Sequence, residues 1–270
     1  MDRAARHDIL TVIAVAACAF VVADLSHEAL GHGTVAWLTG AKQIVLSYTY
    51  LSTDIQSRWI SLAGPAANLI EGVAALACLG AVRRGAARLF VFLLMAFNLL
   101  NAAAYLVYSG VLNSGDLAVA VAGLPHLDLI RIAMVIAGLA AYVLFIVVGA
   151  KPLRSFLPPR GALALWPYLA AFALNAAAAC LNPLGIKYFL ISALPATLGS
   201  NAGLFAMARL ADGKAGQDDD TAQAVVPRSL LWIAAGLVLA AGYIFVIGPG
   251  VECAGLLSRI LPGLAPMPPK

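Results

Sequence analysis

Residues 9–38 read ILTVIAVAACAFVVADLSHEALGHGTVAWL, an apolar run interrupted in its second half by Asp24, Ser26, His27, Glu28 and His32. A helix needs about 20 residues to cross the hydrocarbon of a bilayer, so the run predicts one long spanning helix that carries an ionisable cluster. Charged residues within Met1 to Asp8 precede it, a layout that secretory signal peptides share. Apolar character resumes at Val35, Ala36, Trp37 and Leu38, however, which predicts a helix that is retained. Ionisable groups are costly in lipid, and a cluster of them there marks function.

The rest of the chain has the same character. Its 270 residues are 62% hydrophobic and 11% charged, with a mean hydropathy of +0.92, far from the balance of a soluble domain. This predicts an all-α polytopic membrane protein with about seven transmembrane helices, near 9–38, 60–82, 88–112, 127–150, 162–181, 187–210 and 229–249. Trp59, Trp166, Tyr188 and Trp232 fall near the proposed ends, as interfacial aromatics do, and Pro195 is expected to kink the sixth span. The net charge of +4 resides in short loops, which predicts the lipid bilayer and not nucleic acid as the surrounding partner. Its distribution places the chain in the cell membrane with a cytoplasmic N-terminus. Cys18, Cys78, Cys180 and Cys253 lack metal-ligand spacing and read as small core hydrophobes.

Two connections differ from simple turns. Gln43 to Leu51, QIVLSYTYL, alternates Ile44, Leu46, Tyr48 and Tyr50 and predicts a short strand-like segment after the first helix. It could pair with an extended peptide by strand addition, or lie over the bundle as a loop. Asp212 to Ser229, with Gly213, Gly216 and Asp218 to Asp220, predicts a mobile polar linker.

Imidazoles ligate Zn²⁺, and a neighbouring carboxylate can take a proton from water activated at the metal. Two histidines that share a face of a regular helix are usually four apart. His27 and His32 are five apart, which sets them roughly 140° apart around a regular helix. Three arrangements remain open. A π-bulge at Ala29 to Gly31 would bring both rings to one side. Glu28 and His32, four apart, could ligate together with His27 outside. The cluster could also be metal-free, joining helices by hydrogen bonds. Asp24, three before His27, is expected to orient that ring.

A catalytic zinc keeps three protein ligands and one open position. Glu71, Asp116 and Asp128 are the acidic candidates for the third. Asp116 is preferred, because the third helix leaves the membrane on the side of the motif and Gly115 lets the backbone bend inward. Its other role would be to cap the segment from Leu117 to Gly123.

Three segments together resemble the site-2 protease family of intramembrane zinc metallopeptidases: His27-Glu28-Ala29-Leu30-Gly31-His32, Ala63-Gly64-Pro65-Ala66-Ala67-Asn68, and Phe97-Asn98-Leu99-Leu100-Asn101 followed by Gly115-Asp116. The first motif has one residue more than the family's HExxH, and Gly-Asp stands where the family has Asp-Gly, so the branch is divergent. The resemblance implies a metallopeptidase-like three-helix membrane core over residues 1–125. Residues 126–270, which carry no such resemblance, are expected to form an accessory transmembrane bundle with a polar linker at 212–228. The resemblance further implies Zn²⁺ as cofactor, His27, His32 and Asp116 as its ligands, Glu28 as the general base, and Asn68 as a contact to substrate or the developing oxyanion. Asn68 could equally be helix-to-helix glue. The substrate implied is a membrane protein or peptide, cut towards the cytosol, whereas the charge pattern sets the motif nearer the outer face. Gly64-Pro65 is expected to break or bend the second helix. Asn98 and Asn101, three apart, are expected to face one interior. Two other functions fit the same residues: a metal-binding sensor without hydrolysis, or a transporter in which Asp24, His27, Glu28, His32 and Glu71 relay protons or ions.

Overall fold

A computed structural model describes residues 6–82, 85–185, 189–213 and 224–253. Among the described residues, seven helices are long and apolar enough to cross a membrane: α1 (Ile9–Leu38), α2 (Arg58–Cys78), α3 (Gly85–Leu112), α5 (Leu127–Leu153), α6 (Ala162–Leu181), α7 (Phe189–Asp212) and α8 (Leu230–Ile247). A short helix, α4 (Asp116–Val121), follows α3. The chain is thus an all-α polytopic membrane protein with a small sheet of three strands, β1 (Ile44–Leu46), β2 (Leu51–Thr53) and β3 (Val251–Glu252).

Asp8 starts α1 by accepting the Thr11 N–H and hydroxyl, each at 2.8 Å, which satisfies one of the orphan donors at a helix N-terminus. These bonds also hold its carboxyl below the usual carboxylate range. The most apolar stretch of α1 is 67% buried, against 17% for α5 and 11% for α8. α1 is therefore the interior helix, while α5 and α8 turn most of their surface to lipid. Apolar side chains of α1, α3, α6, α7 and α8 join one core. At its centre the Phe20 ring meets Phe97 and Tyr243 edge-on, with centroids 5.8 and 6.0 Å apart.

Three local expectations need correction. Gln43 to Leu51 is not one strand: it turns where Ser47 N–H donates to Tyr50 O at 3.0 Å, and only Ile44–Leu46 and the following Leu51–Thr53 are extended. β1 pairs with β2 on one edge and β3 on the other, so it has no free edge for a substrate. α2 is also not broken at Gly64-Pro65, since the helix runs through Pro65. Of the cysteines, only Cys18 is buried, whereas Cys78 and Cys180 lie exposed at the ends of α2 and α6.

α7 is irregular around Pro195, with π-helical turns at Phe189–Ala193 and Pro195–Gly199. The polar linker is pinned at both described ends. Asp212 pairs with the buried Arg160 at 2.8 Å, Ala224 bridges Phe156, and Val226 O accepts from Asp8 N–H. Its middle, 214–223 with Asp218 to Asp220, lies outside the described residues, as do residues 1–5 and Tyr188.

Candidate metal centre

Ser26–Gly33 of α1 is wound as a π-helix. Each N–H there reaches the carbonyl five residues back, so the residue five positions on stands nearly one turn above its predecessor. His27 and His32 consequently share a side. Their Nε2 atoms are 3.2 Å apart, and the rings meet edge-on with centroids at 4.8 Å.

Each ring is approached by a third group. Asp116 is the first residue of α4 and follows Gly115, whose φ of 80° is open to glycine at little cost. Its side chain does not cap α4. Instead Asp116 Oδ2 lies 3.2 Å from His27 Nε2 and 3.3 Å from His32 Nε2. Burial pushes the Asp116 carboxyl up, but the two imidazole contacts outweigh it and hold the group below the usual carboxylate range. Arg58 fastens the far end of α4 by donating to Ala122 O at 2.7 Å.

The backbones of α1 and α2 come very close here, and two glycines permit it. A Cβ on Gly31 would stand 2.7 Å from Ala63 O and Gly64 Cα. A Cβ on Gly64 would fall on His32 Nε2 and 2.7 Å from His27 Nε2. The Ala-Gly-Pro stretch of α2 thus leaves room beneath the two imidazoles without interrupting its helix.

One hydrogen bond fixes a proton on the His32 ring. His32 Nδ1 lies 2.5 Å from Ile60 O, and a carbonyl only accepts, so Nδ1 carries the proton. The Nε2 of a neutral His32 is then a lone pair facing a carboxylate oxygen and a second imidazole nitrogen. His27 Nε2, His32 Nε2 and Asp116 Oδ2 thus converge in a buried place, where protons shared between them or a metal can join them. The spacing suits a metal. Bonds of about 2.0–2.2 Å around a tetrahedral ion set neighbouring ligand atoms roughly 3.3–3.6 Å apart, close to the 3.2 and 3.3 Å found here.

Glu28 and Asn68 are buried beside this triangle, 4% and 1% exposed. Both line a cavity of about 50 Å³ together with Asp24, His27, Asn98 and Asn101. Among the described residues, Glu28 Oε2, Asn68 Oδ1 and His27 Nδ1 make no hydrogen bond, although Asn68 interacts with the His27 ring. Asn98 and Asn101 do face one interior.

The remaining acidic residues are engaged elsewhere. Asp24 does not orient His27; its Oδ2 accepts from Tyr243 OH at 3.1 Å. Glu71 accepts from Asn98 Nδ2 at 3.0 Å and from Ser26. Asp128 is exposed beside Arg131. Three residues escaped the sequence reading. Tyr105 stacks obliquely on His27 at 5.5 Å, and its signal was present, since it follows Asn101 by one helical turn. Tyr243 and Asn175, joined at 2.7 Å, come from helices with no motif of their own.

No protein-family model, curated protein or solved structure matches the chain.

Proposed function

We propose that the chain is a zinc-dependent intramembrane peptidase, a divergent member of the site-2 protease family. The observation that carries this reading is the convergence of His27 Nε2, His32 Nε2 and Asp116 Oδ2 within 3.3 Å of one another, beside the buried Glu28 in a bundle of seven apolar helices. His27, His32 and Asp116 would hold the ion, leaving one side open. Bound there, Zn²⁺ supplies Lewis-acid polarisation of a carbonyl and lowers the pKa of water to about 7.

The protein's own groups do the rest. Glu28 takes a proton from the attacking water, whose oxygen adds to the scissile carbonyl carbon, and delivers it to the departing nitrogen as the C–N bond breaks. A carboxylate with an unengaged oxygen facing the cavity suits that task. Asn68 Nδ2 donates to the oxygen that becomes negative, a contribution of about 3 kcal/mol at comparable sites. The setting proposed is the cell membrane, with the N-terminus cytoplasmic and the substrate a membrane-embedded peptide segment.

Two variants test this in the purified full chain. His32→Ala should lose stoichiometric zinc. Glu28→Gln should keep zinc and lose cleavage of a transmembrane peptide in liposomes. A wild-type protein that binds zinc but never cleaves would identify a sensor instead, and one that binds none would refute the reading.

A further inference from the structure

The three side chains proposed to hold zinc are not anchored alike. His32 is fixed through its far ring nitrogen, Nδ1, by Ile60 O, the outer hydrogen bond that orients a ligating imidazole. His27 Nδ1 makes no such bond among the described residues. Asp116 stands at the start of α4, where no side chain caps the helix. Arg58 fastens only the opposite end, through Ala122 O.

Tyr105 meets both of the less anchored ligands. It comes from α3, which supplies none of the three itself. Its ring lies against the His27 ring, with centroids 5.5 Å apart and planes inclined by 44°, and its hydroxyl interacts with the Asp116 carboxylate. It also closes on the backbone that delivers Asp116, since a Cβ on Gly115 would stand 3.5 Å from Tyr105 Cε1 and 3.2 Å from Tyr108 Cε1. Tyr108 packs on the same turn but sends its hydroxyl to Ile191 O of α7, at 2.8 Å.

We infer that Tyr105 is a positioning residue for the metal centre: its ring sets the plane of His27, and its hydroxyl donates to Asp116 so that Oδ2 stays turned to the two imidazoles. The inference rests on the zinc site proposed above but not on hydrolysis. A carboxylate has two oxygens that can accept. A donor held on one leaves the other to the ion, so that the group ligates through a single atom and the fourth position stays open to water. The two tasks of Tyr105 are separable, because phenylalanine has the ring without the hydroxyl.

The test is made on the purified full chain, with zinc affinity read by competition with a chelating dye and ligand geometry by the visible absorption of the Co²⁺-loaded protein. Tyr105→Phe is expected to weaken zinc binding by about tenfold and Tyr105→Leu by about 100-fold, the range that partners of ligating groups contribute. Both should alter the Co²⁺ spectrum. Tyr108→Phe removes the neighbouring hydroxyl and should leave affinity and spectrum unchanged, with helix content the same in all three variants. An affinity for Tyr105→Phe within about twofold of the parent, with an unaltered Co²⁺ spectrum, would overturn the assignment. Equal losses in Tyr105→Phe and Tyr108→Phe would also overturn it, because they would mark a general loosening of the bundle. Weakened zinc in Tyr105→Phe, made in a parent that binds zinc but cleaves no peptide, would support the assignment and refute the peptidase. A parent that binds neither metal would refute the metal centre and the assignment together.

Discussion

The Nε2 atoms of His27 and His32 lie 3.2 Å apart although the residues are separated by five positions. The π-helical winding of Ser26–Gly33 accounts for it, and four predictions follow from that geometry and its surroundings.

A π-turn accommodates one residue more than the α-helix around it. Deleting Leu30, which is 69% exposed and leaves little packing behind, should convert the turn to a regular helix with the histidines four apart. Zinc titration of the deletion variant should give close to one ion per chain. Inserting an alanine after Ala29 should abolish binding. Loss of zinc from the deletion variant would show that the wide turn has a role other than reconciling the spacing.

Gly64→Ala separates the fold from the site. Alanine favours a helix over glycine by up to about 1 kcal/mol, yet here its methyl would clash with the imidazole nitrogens of both histidines. Competition with a chelating dye should show zinc affinity reduced by about 100-fold, with helix content retained by circular dichroism. Normal affinity would mean that the rings do not sit over Gly64.

Asn68→Ala should lower kcat by about 10²–10³ without changing bound zinc, because its amide is placed beside the cavity and not among the converging atoms. An unaltered kcat together with lowered thermal stability would make Asn68 a helix-to-helix contact.

Membrane orientation is checked by single cysteines at Lys42 and Lys151, both exposed, in a chain whose four cysteines are replaced. An impermeant maleimide added to intact cells should label the Lys42→Cys site and spare Lys151→Cys. The opposite pattern would invert the topology and carry the motif end of α1 to the cytosol.

How much of this is legible from residues alone varies with the range of the contact. The spans are legible because twenty-residue apolar runs need no partner to be recognised. The wide turn is legible because two histidines and a glycine at an odd spacing conflict with regular winding. Asp116 can be singled out because Gly115 precedes it at a helix exit. Contacts between distant segments leave no such trace. β3 pairs Val251 and Glu252 with Leu46 and Val45, a match that two residues cannot announce. Asp24 turns to Tyr243, its partner far along the chain, and so the local reading that paired it with His27 fails. Pro65 misleads for a different reason. A proline interrupts a helix on average, but this one follows a glycine whose missing side chain is what the site uses.

X-ray absorption at the zinc edge of the purified, zinc-replete full chain tests the central claim most directly. The account predicts one zinc per chain with nitrogen and oxygen neighbours at about 2.0–2.2 Å and imidazole scattering from two rings. A chain that retains no zinc, or a sulfur shell at about 2.3 Å, would contradict it.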